Sequence, residues 1–147
     1  MYKRRARIVF LCAGNPARAL MAQGYAGRLG AAWLEARAVG AETGGSDPRA
    51  VTVMAEDGVD ISTAAPERLT PELLSWADRV VMLCGPEGPC PGVPPGVPGT
   101  RWRLGDIGGA LDGEAGIALR AVRDEIKRRV QGMIGGMRLL AASDSEH

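Results

Sequence analysis

Apolar residues occur in short runs separated by polar, proline-rich or glycine-rich segments, a pattern typical of buried strands that alternate with helices. Four of the runs predict strands, at about 5–11, 34–39, 79–83 and 100–104. Helical spacing predicts one helix from about residue 18, two short helices before residue 78 and a long helix near the C-terminus. The order β-α-β-α-α-β-β-α predicts an α/β fold: a four-stranded parallel sheet with helices on both faces.

Local signals mark where the two short helices begin. Asp47-Pro48 and Thr70-Pro71 each place an N-cap residue before a proline at the first helical position. We expect the helix after Asp47 to stop at Gly58 and the helix after Thr70 to end near residue 77.

Helical periodicity identifies the buried faces of the two longer helices. In the first helix, Met21, Tyr25 and Leu29 follow one another at intervals of four and predict one core-facing stripe. The last helix has an apolar stripe at residues 119, 122, 126 and 130, with charged residues on its solvent-exposed face. We expect a single domain over 1–147, with a flexible tail at 139–147 that is frayed from about residue 141.

Composition excludes several classes of function. The 147 residues carry 18 basic and 17 acidic side chains, so no overall field favours nucleic acid or a membrane surface. The apolar run after Lys3-Arg4-Arg5 is too short for a signal peptide, and the three cysteines favour a reducing cytoplasm over a disulfide scaffold. The one histidine, His147, is the last residue, which argues against Ser-His-Asp or Cys-His catalysis and His-ligated metals. We expect a cytoplasmic monomer without a metal site.

The segment between the first strand and the first helix, residues 12–18, is the strongest candidate for chemistry and is called the anion loop below. It reads Cys-Ala-Gly-Asn-Pro-Ala-Arg. Backbone N–H groups and a helix N-terminus converge there, which favours an oxyanion and the thiolate form of Cys12. The Arg18 guanidinium presents a planar fork of donors to a tetrahedral anion. The predicted oxyanion-binding residues are Ala13, Gly14, Asn15, Ala17 and Arg18.

Two further cysteines bear on this interpretation. By itself, Cys12 is more typical of a buried structural thiol than of a nucleophile. Cys84, however, follows the third apolar run, and Cys90 lies in a stretch rich in proline and glycine, residues 85–99. The carboxyl ends of parallel strands meet at one sheet edge, so we expect Cys12 and Cys84 there together. The stretch around Cys90 is either a plain surface loop or a mobile flap, and the cysteine favours the flap.

Attack of a thiolate on a tetrahedral oxyanion needs an acid that protonates the leaving oxygen. Asp106 follows the fourth strand and therefore reaches the same edge of the sheet. A solvated turn aspartate is equally typical of a glycine-rich segment. Asp112 is the rival acid but lies farther into the connection, and position alone favours Asp106.

The motifs resemble a known family. Residues 8–15, which end in Leu-Cys-Ala-Gly-Asn, followed by Arg18 and Met21, are similar to the low-molecular-weight phosphotyrosine phosphatase superfamily. Residues 80–85 with Cys90-Pro91, then Trp102 and residues 121–126, resemble its thioredoxin-coupled arsenate reductase branch. The resemblance covers about residues 7–131.

This resemblance implies a reaction and a role for each cysteine. Cys12 would attack arsenate, with Asp106 as the general acid. Cys84 would then attack Cys12, releasing arsenite and leaving a Cys12–Cys84 disulfide. Cys90 would attack Cys84 and form a Cys84–Cys90 disulfide, which thioredoxin would reduce in the course of arsenic detoxification.

The sequence departs from the family pattern at several positions. Pro16 removes one N–H from the anion loop, and Ala19 stands where a serine usually supports the nucleophile. Only five residues separate Cys84 from Cys90, one fewer than the family leads us to expect. Gln23 replaces an acidic residue used at a potassium site, so we expect neither potassium nor any other cofactor, with electrons coming from thioredoxin.

Three alternatives stay open from the sequence. A phosphatase would use the same anion loop, although the paired tyrosines of the tyrosine-specific enzymes are missing. A non-catalytic oxyanion-binding or redox-sensing protein is the second alternative. A zinc site built from three cysteines is the third, and it lacks a fourth ligand at suitable spacing.

Overall fold

The computed structural model describes residues 4–13, 15–40, 47–86 and 95–145, with side chains as far as residue 139. The element order is the predicted one. The elements are β1 (Ala6–Cys12), α1 (Ala17–Gly30), β2 (Leu34–Gly40), α2 (Pro48–Glu56), α3 (Pro71–Trp76), β3 (Arg79–Cys84), β4 (Gly99–Arg103) and α4 (Gly113–Ser145).

The four strands form one parallel sheet, as predicted, and their order across the sheet is β2-β1-β3-β4. In the two central strands, Leu11 pairs with Met82, and on its other side Leu11 pairs with Val39. Because all four strands run the same way, their carboxyl ends lie along one edge. The anion loop follows β1 at this edge, and the segment that contains Asp106 follows β4 at the same edge.

The two faces of the sheet are covered very unequally. The larger hydrophobic cluster joins the sheet to α1, α2 and α4, with Phe10, Tyr25 and Ile126 fully buried in it. Phe10 and Trp102 pack at 5.8 Å between ring centroids. The smaller cluster lies on the opposite face and takes Leu73 from α3. The prediction of helices on both faces is therefore confirmed, with most of the core on one of them.

The predicted N-caps are confirmed at both short helices. The Asp47 carboxylate accepts from the Arg49 backbone N–H at 2.9 Å, and the Thr70 hydroxyl accepts from the Leu73 N–H at 3.1 Å. In both helices proline occupies the first turn, where a missing N–H costs no helical hydrogen bond.

One prediction about the first helix is wrong. Leu29 is 39% exposed, whereas Met21 and Tyr25 are buried, because α1 ends at Gly30, near the boundary of the core. The last helix continues to Ser145, and the flexibility of the tail stays a prediction. Among the described residues, no helix is long and apolar enough to cross a membrane.

Close packing at two glycines holds α4 in place. A Cβ on Gly30 would lie 2.5 Å from the Ile134 side chain, so the glycine lets α1 and α4 approach. A Cβ on Gly116 would lie only 1.7 Å from the Leu111 carbonyl oxygen, where the chain enters α4. The segment between β4 and α4, which contains Asp106, is thus attached to a closely packed helix start.

Candidate active site

Cys12 is the last residue of β1 and faces the larger hydrophobic cluster, with 2% of its surface exposed. Its Sγ accepts a hydrogen bond from the Ala19 backbone N–H at 3.2 Å. Ala19 lies in the first turn of α1, where backbone N–H groups have no partner within the helix. The helix therefore directs a donor and the positive end of its dipole at the sulfur, and both favour the thiolate.

The main chain of Ala19 contributes to the site, although its side chain has no donor. The expectation that the missing serine hydroxyl weakens support for the Cys12 sulfur stays a prediction. In the structure the backbone of the same residue supplies a hydrogen bond, and any residue type except proline would supply it. Sequence reasoning missed this donor because it belongs to the main chain.

Arg18 is the one charged side chain among the residues buried in the described part of the chain, at 3% exposure. Its Nη2 donates to the Gly105 carbonyl oxygen at 2.7 Å. This bond connects the anion loop to the segment that contains Asp106. A guanidinium buried beside a helix N-terminus is suited to binding a doubly charged tetrahedral anion.

The other residues of the anion loop have distinct positions. The Asn15 side chain accepts from the Ala17 N–H at 2.9 Å, so that amide is engaged within the loop. The φ of Asn15 is negative, although asparagine is among the few residues other than glycine that tolerate the left-handed conformation. Pro16 is the N-cap of α1 and provides no capping side chain. Ala13 is exposed, and Gly14 lies outside the described residues. The roles of Ala13, Gly14, Asn15 and Ala17 as oxyanion donors stay predictions.

Asp106 is exposed and lies next to the site. Its Oδ1 accepts from the Gly108 backbone N–H at 3.0 Å, which fixes the orientation of the carboxylate. The preceding residue, Gly105, is the one that Arg18 contacts. Asp112 is also exposed and directly precedes α4. Asp106 is thus connected to the anion loop through its neighbour, and its role as the acid stays a prediction.

A cluster that sequence reasoning missed lies at the start of α2. Asp47 accepts from Arg49 Nη2 at 2.7 Å and from Asn15 Nδ2 at 3.4 Å. Arg49 Nη1 also donates to the Gly109 carbonyl oxygen. The hydrogen bond with the Arg49 side chain lowers the pKa of Asp47, and the same pair, with a contribution from the charge of Asp106, raises the pKa of Arg49. Asp47 was recognised as an N-cap, but no sequence signal indicates these long-range bonds.

The second cysteine, Cys84, lies at the end of β3 on the opposite face of the sheet from Cys12. Cys84 packs in the smaller hydrophobic cluster, and Cys12 packs in the larger. Cys84 is disulfide-bonded, whereas Cys12 is not in a disulfide. Both are at the expected sheet edge, but the predicted Cys12–Cys84 bond is not formed in this state. Cys90, and with it the predicted Cys84–Cys90 bond, lies outside the described residues.

Within the residues that the structure describes, no group of three or more His, Cys, Asp or Glu side chains is arranged to hold a metal ion. The Gln23 amide donates to the Ala36 carbonyl oxygen at 3.4 Å. The expectation that the protein uses no potassium stays a prediction.

Comparisons with known proteins place this geometry in a family. Residues 7–88 match the model of the low molecular weight phosphotyrosine protein phosphatase family. Over 128 residues the chain is 39% identical to an arsenate reductase of Halalkalibacterium halodurans, covering 84% of this chain and 91% of that protein.

Solved structures agree with the sequence comparison. A solved arsenate reductase in its phosphate-binding state has a TM-score of 0.73 and 29% identity, covering 90% of this chain and 98% of that one. A thioredoxin-dependent arsenate reductase of Corynebacterium glutamicum shares the fold, with a TM-score of 0.70, 23% identity and coverage of 95% and 65%. The chain belongs to the low molecular weight phosphotyrosine protein phosphatase family.

Proposed function

We propose that the protein is an arsenate reductase that converts arsenate to arsenite. The observation that carries the proposal is a thiol held at a helix N-terminus beside a buried arginine, with a disulfide-bonded cysteine at the same sheet edge. The first feature suits attack on a tetrahedral oxyanion, and the second suits removal of two electrons from a pair of thiols. The 39% identical relative is an arsenate reductase, which supports the same conclusion.

The proposed reaction has three thiol steps. The Cys12 thiolate attacks arsenic, and the leaving oxygen departs as water with a proton from Asp106. The Cys84 thiolate then attacks the Cys12 sulfur, and the electron pair of the sulfur–arsenic bond passes to arsenic. Arsenic is thereby reduced by two electrons, arsenite leaves, and two thiols become a Cys12–Cys84 disulfide. Attack by Cys90 transfers the disulfide to Cys84–Cys90 and restores the Cys12 thiolate.

The proposed reductant of that last disulfide is thioredoxin. Cys84 packs on the thinly covered face of the sheet, away from the buried Cys12. Once the disulfide has moved to this face, the anion loop can bind another arsenate ion. A protein dithiol can then reduce the disulfide from outside. Cys12 and Cys84 are 2% and 5% exposed, so a partner protein would reach either sulfur poorly, and thioredoxin is proposed to attack the disulfide at Cys90.

The test is arsenite formation by the reduced protein. Without a reductant, one arsenite per chain is expected; with thioredoxin and its reductase, turnover should continue. Cys12→Ser should release no arsenite under either condition. A phosphatase on the same scaffold would need Cys12 and Arg18 but neither Cys84 nor Cys90. Hydrolysis of aryl phosphates without arsenite release would therefore overturn the proposal and favour that alternative.

A further inference from the structure

The segment 105–109, which contains Asp106, is held at both ends by guanidinium groups from other elements. At its start, Arg18 of the anion loop donates to the Gly105 carbonyl oxygen at 2.7 Å. At its end, Arg49 of α2 donates to the Gly109 carbonyl oxygen. Between these anchors, the Gly108 N–H donates to the Asp106 carboxylate at 3.0 Å. The direction of Asp106 therefore depends on a segment fixed at two points.

Hydrogen bonds also connect Arg49 to the anion loop. Its Nε and Nη2 donate to Asp47 at 3.2 and 2.7 Å, which uses the planar fork of the guanidinium. Asp47 also accepts from the Asn15 amide, and Asn15 accepts from the Ala17 N–H. A continuous chain of hydrogen bonds thus runs from the anion loop through Asp47 and Arg49 to Gly109.

The burial of Asp47 and Arg49 and the backbone conformation of Gly109 favour a positioning role for this series of hydrogen bonds. The Asp47 and Arg49 side chains are 15% and 28% exposed, so solvent screens their ion pair less than it screens a surface pair. Gly109 has φ +92°, a left-handed turn that a hydrogen bond at its carbonyl helps to hold. The charge of Asp106 also acts on Arg49, which places the two groups within electrostatic range.

We infer that Arg49 is a positioning residue for the reaction and that it acts through Asp106 by fixing the segment 105–109 relative to the anion loop. The inference rests on the proposed function in one respect, the role of Asp106 as the general acid. Arg18 holds the start of the segment; Arg49 holds the end and so determines the direction of the carboxylate. A misplacement of about 1 Å in an acid can cost on the order of 100-fold in rate.

The test compares Arg49→Met and Arg49→Lys with Arg28→Met, an exposed arginine in the last turn of α1. Arg49→Met is expected to lower kcat for arsenite release about 10-fold, with KM changed less than about threefold. Arg49→Lys should restore little of the loss, because one ammonium cannot reach both Asp47 and Gly109. Arg28→Met should match the unaltered protein.

The same substitution in the Asp106→Asn protein distinguishes positioning of Asp106 from a general loss of structure. In Asp106→Asn, adding Arg49→Met should lower kcat less than about twofold further, because the group that Arg49 positions is already inactive. The same factor in both backgrounds, or an Asp106→Asn protein with unchanged kcat, would overturn the inference. Thermal unfolding of each variant shows whether a loss of kcat comes with a loss of stability.

Amide hydrogen exchange tests, without any catalysis, whether Arg49 holds the segment 105–109. In Arg49→Met the Gly108 N–H should exchange faster, and in Arg28→Met it should not change. Unchanged exchange at Gly108 in Arg49→Met would overturn the inference even if the protein reduces arsenate. If the unaltered protein reduces no arsenate, the proposed function fails, and the exchange measurement still decides whether Arg49 holds the segment.

Discussion

Replacing Arg18 with lysine keeps the positive charge of the anion loop but removes the planar set of donors. The arginine is 3% exposed and already donates one hydrogen bond to the Gly105 carbonyl oxygen at 2.7 Å. The remaining guanidinium donors are proposed to bind the anion. A single ammonium has to serve either Gly105 or the anion. When the ammonium stays on Gly105, we therefore expect the anion to lose both bonds of a bidentate guanidinium contact, at about 1.5–3 kcal/mol for each charge-assisted hydrogen bond.

Two such losses amount to roughly 3–6 kcal/mol, which corresponds to a fall in kcat/KM by about 10²–10⁴. The assay measures arsenite formation across arsenate concentrations, together with the affinity for inorganic phosphate by calorimetry. Arg28→Lys makes the same chemical change at an exposed position and should leave both quantities unchanged. A folded Arg18→Lys protein with kcat/KM within about threefold of the original would refute the reasoning.

Three further predictions concern stability. The hydrogen bonds from Arg4 lower the pKa of Asp78 to about 2, so the stability that Asp78 adds is present above about pH 4 and is lost as the pH falls from 4 to 2. The Asp78 side chain is 39% exposed, so solvent screening reduces its contribution. Asp78→Asn should lower the free energy of unfolding in urea by about 1 kcal/mol at pH 7 and by almost nothing at pH 2. An equal loss at both pH values would contradict this prediction. Gly116→Ala should destabilise the protein by about 2 kcal/mol or more, because its Cβ would overlap the Leu111 carbonyl oxygen. Gly132→Ala, in open space within α4, should stabilise it by about 0.5–1 kcal/mol, and thermal shifts of the same sign in both variants would contradict the packing described here.

The features predicted correctly from the sequence are those that local chemistry determines. Asp47 and Thr70 cap their helices because each is followed by proline and has a side-chain oxygen that can reach a backbone N–H. The four strands follow from short apolar runs. The positions of Cys12 and Cys84 at one sheet edge follow from the parallel arrangement, because each cysteine ends its strand.

The features that were missed depend on tertiary register and on the main chain. Leu11 pairs with Met82, so Cys84 is one residue beyond the position level with Cys12. Because side chains alternate along a strand, that single step places the two sulfurs on opposite faces. No sequence pattern defines this register.

The network around Arg49 was missed for a similar reason. Its hydrogen bond to Gly109 joins residues 60 positions apart. The Ala19 donor was missed because the side chain, not the amide, was considered. Leu29 has the right spacing for the core but lies where α1 leaves it, and periodicity alone does not show where the core ends.

The most direct test of the account is to map the disulfide that forms when a reduced Cys90→Ser protein meets one equivalent of arsenate. The proposed order of attack predicts one arsenite per chain and a Cys12–Cys84 disulfide in the peptide map, even though these cysteines lie on opposite faces in the state described here. That bond requires the end of β3 to rearrange after arsenate has reacted. Arsenite release with both Cys12 and Cys84 still reduced, or continued turnover with thioredoxin, would contradict the three-cysteine relay.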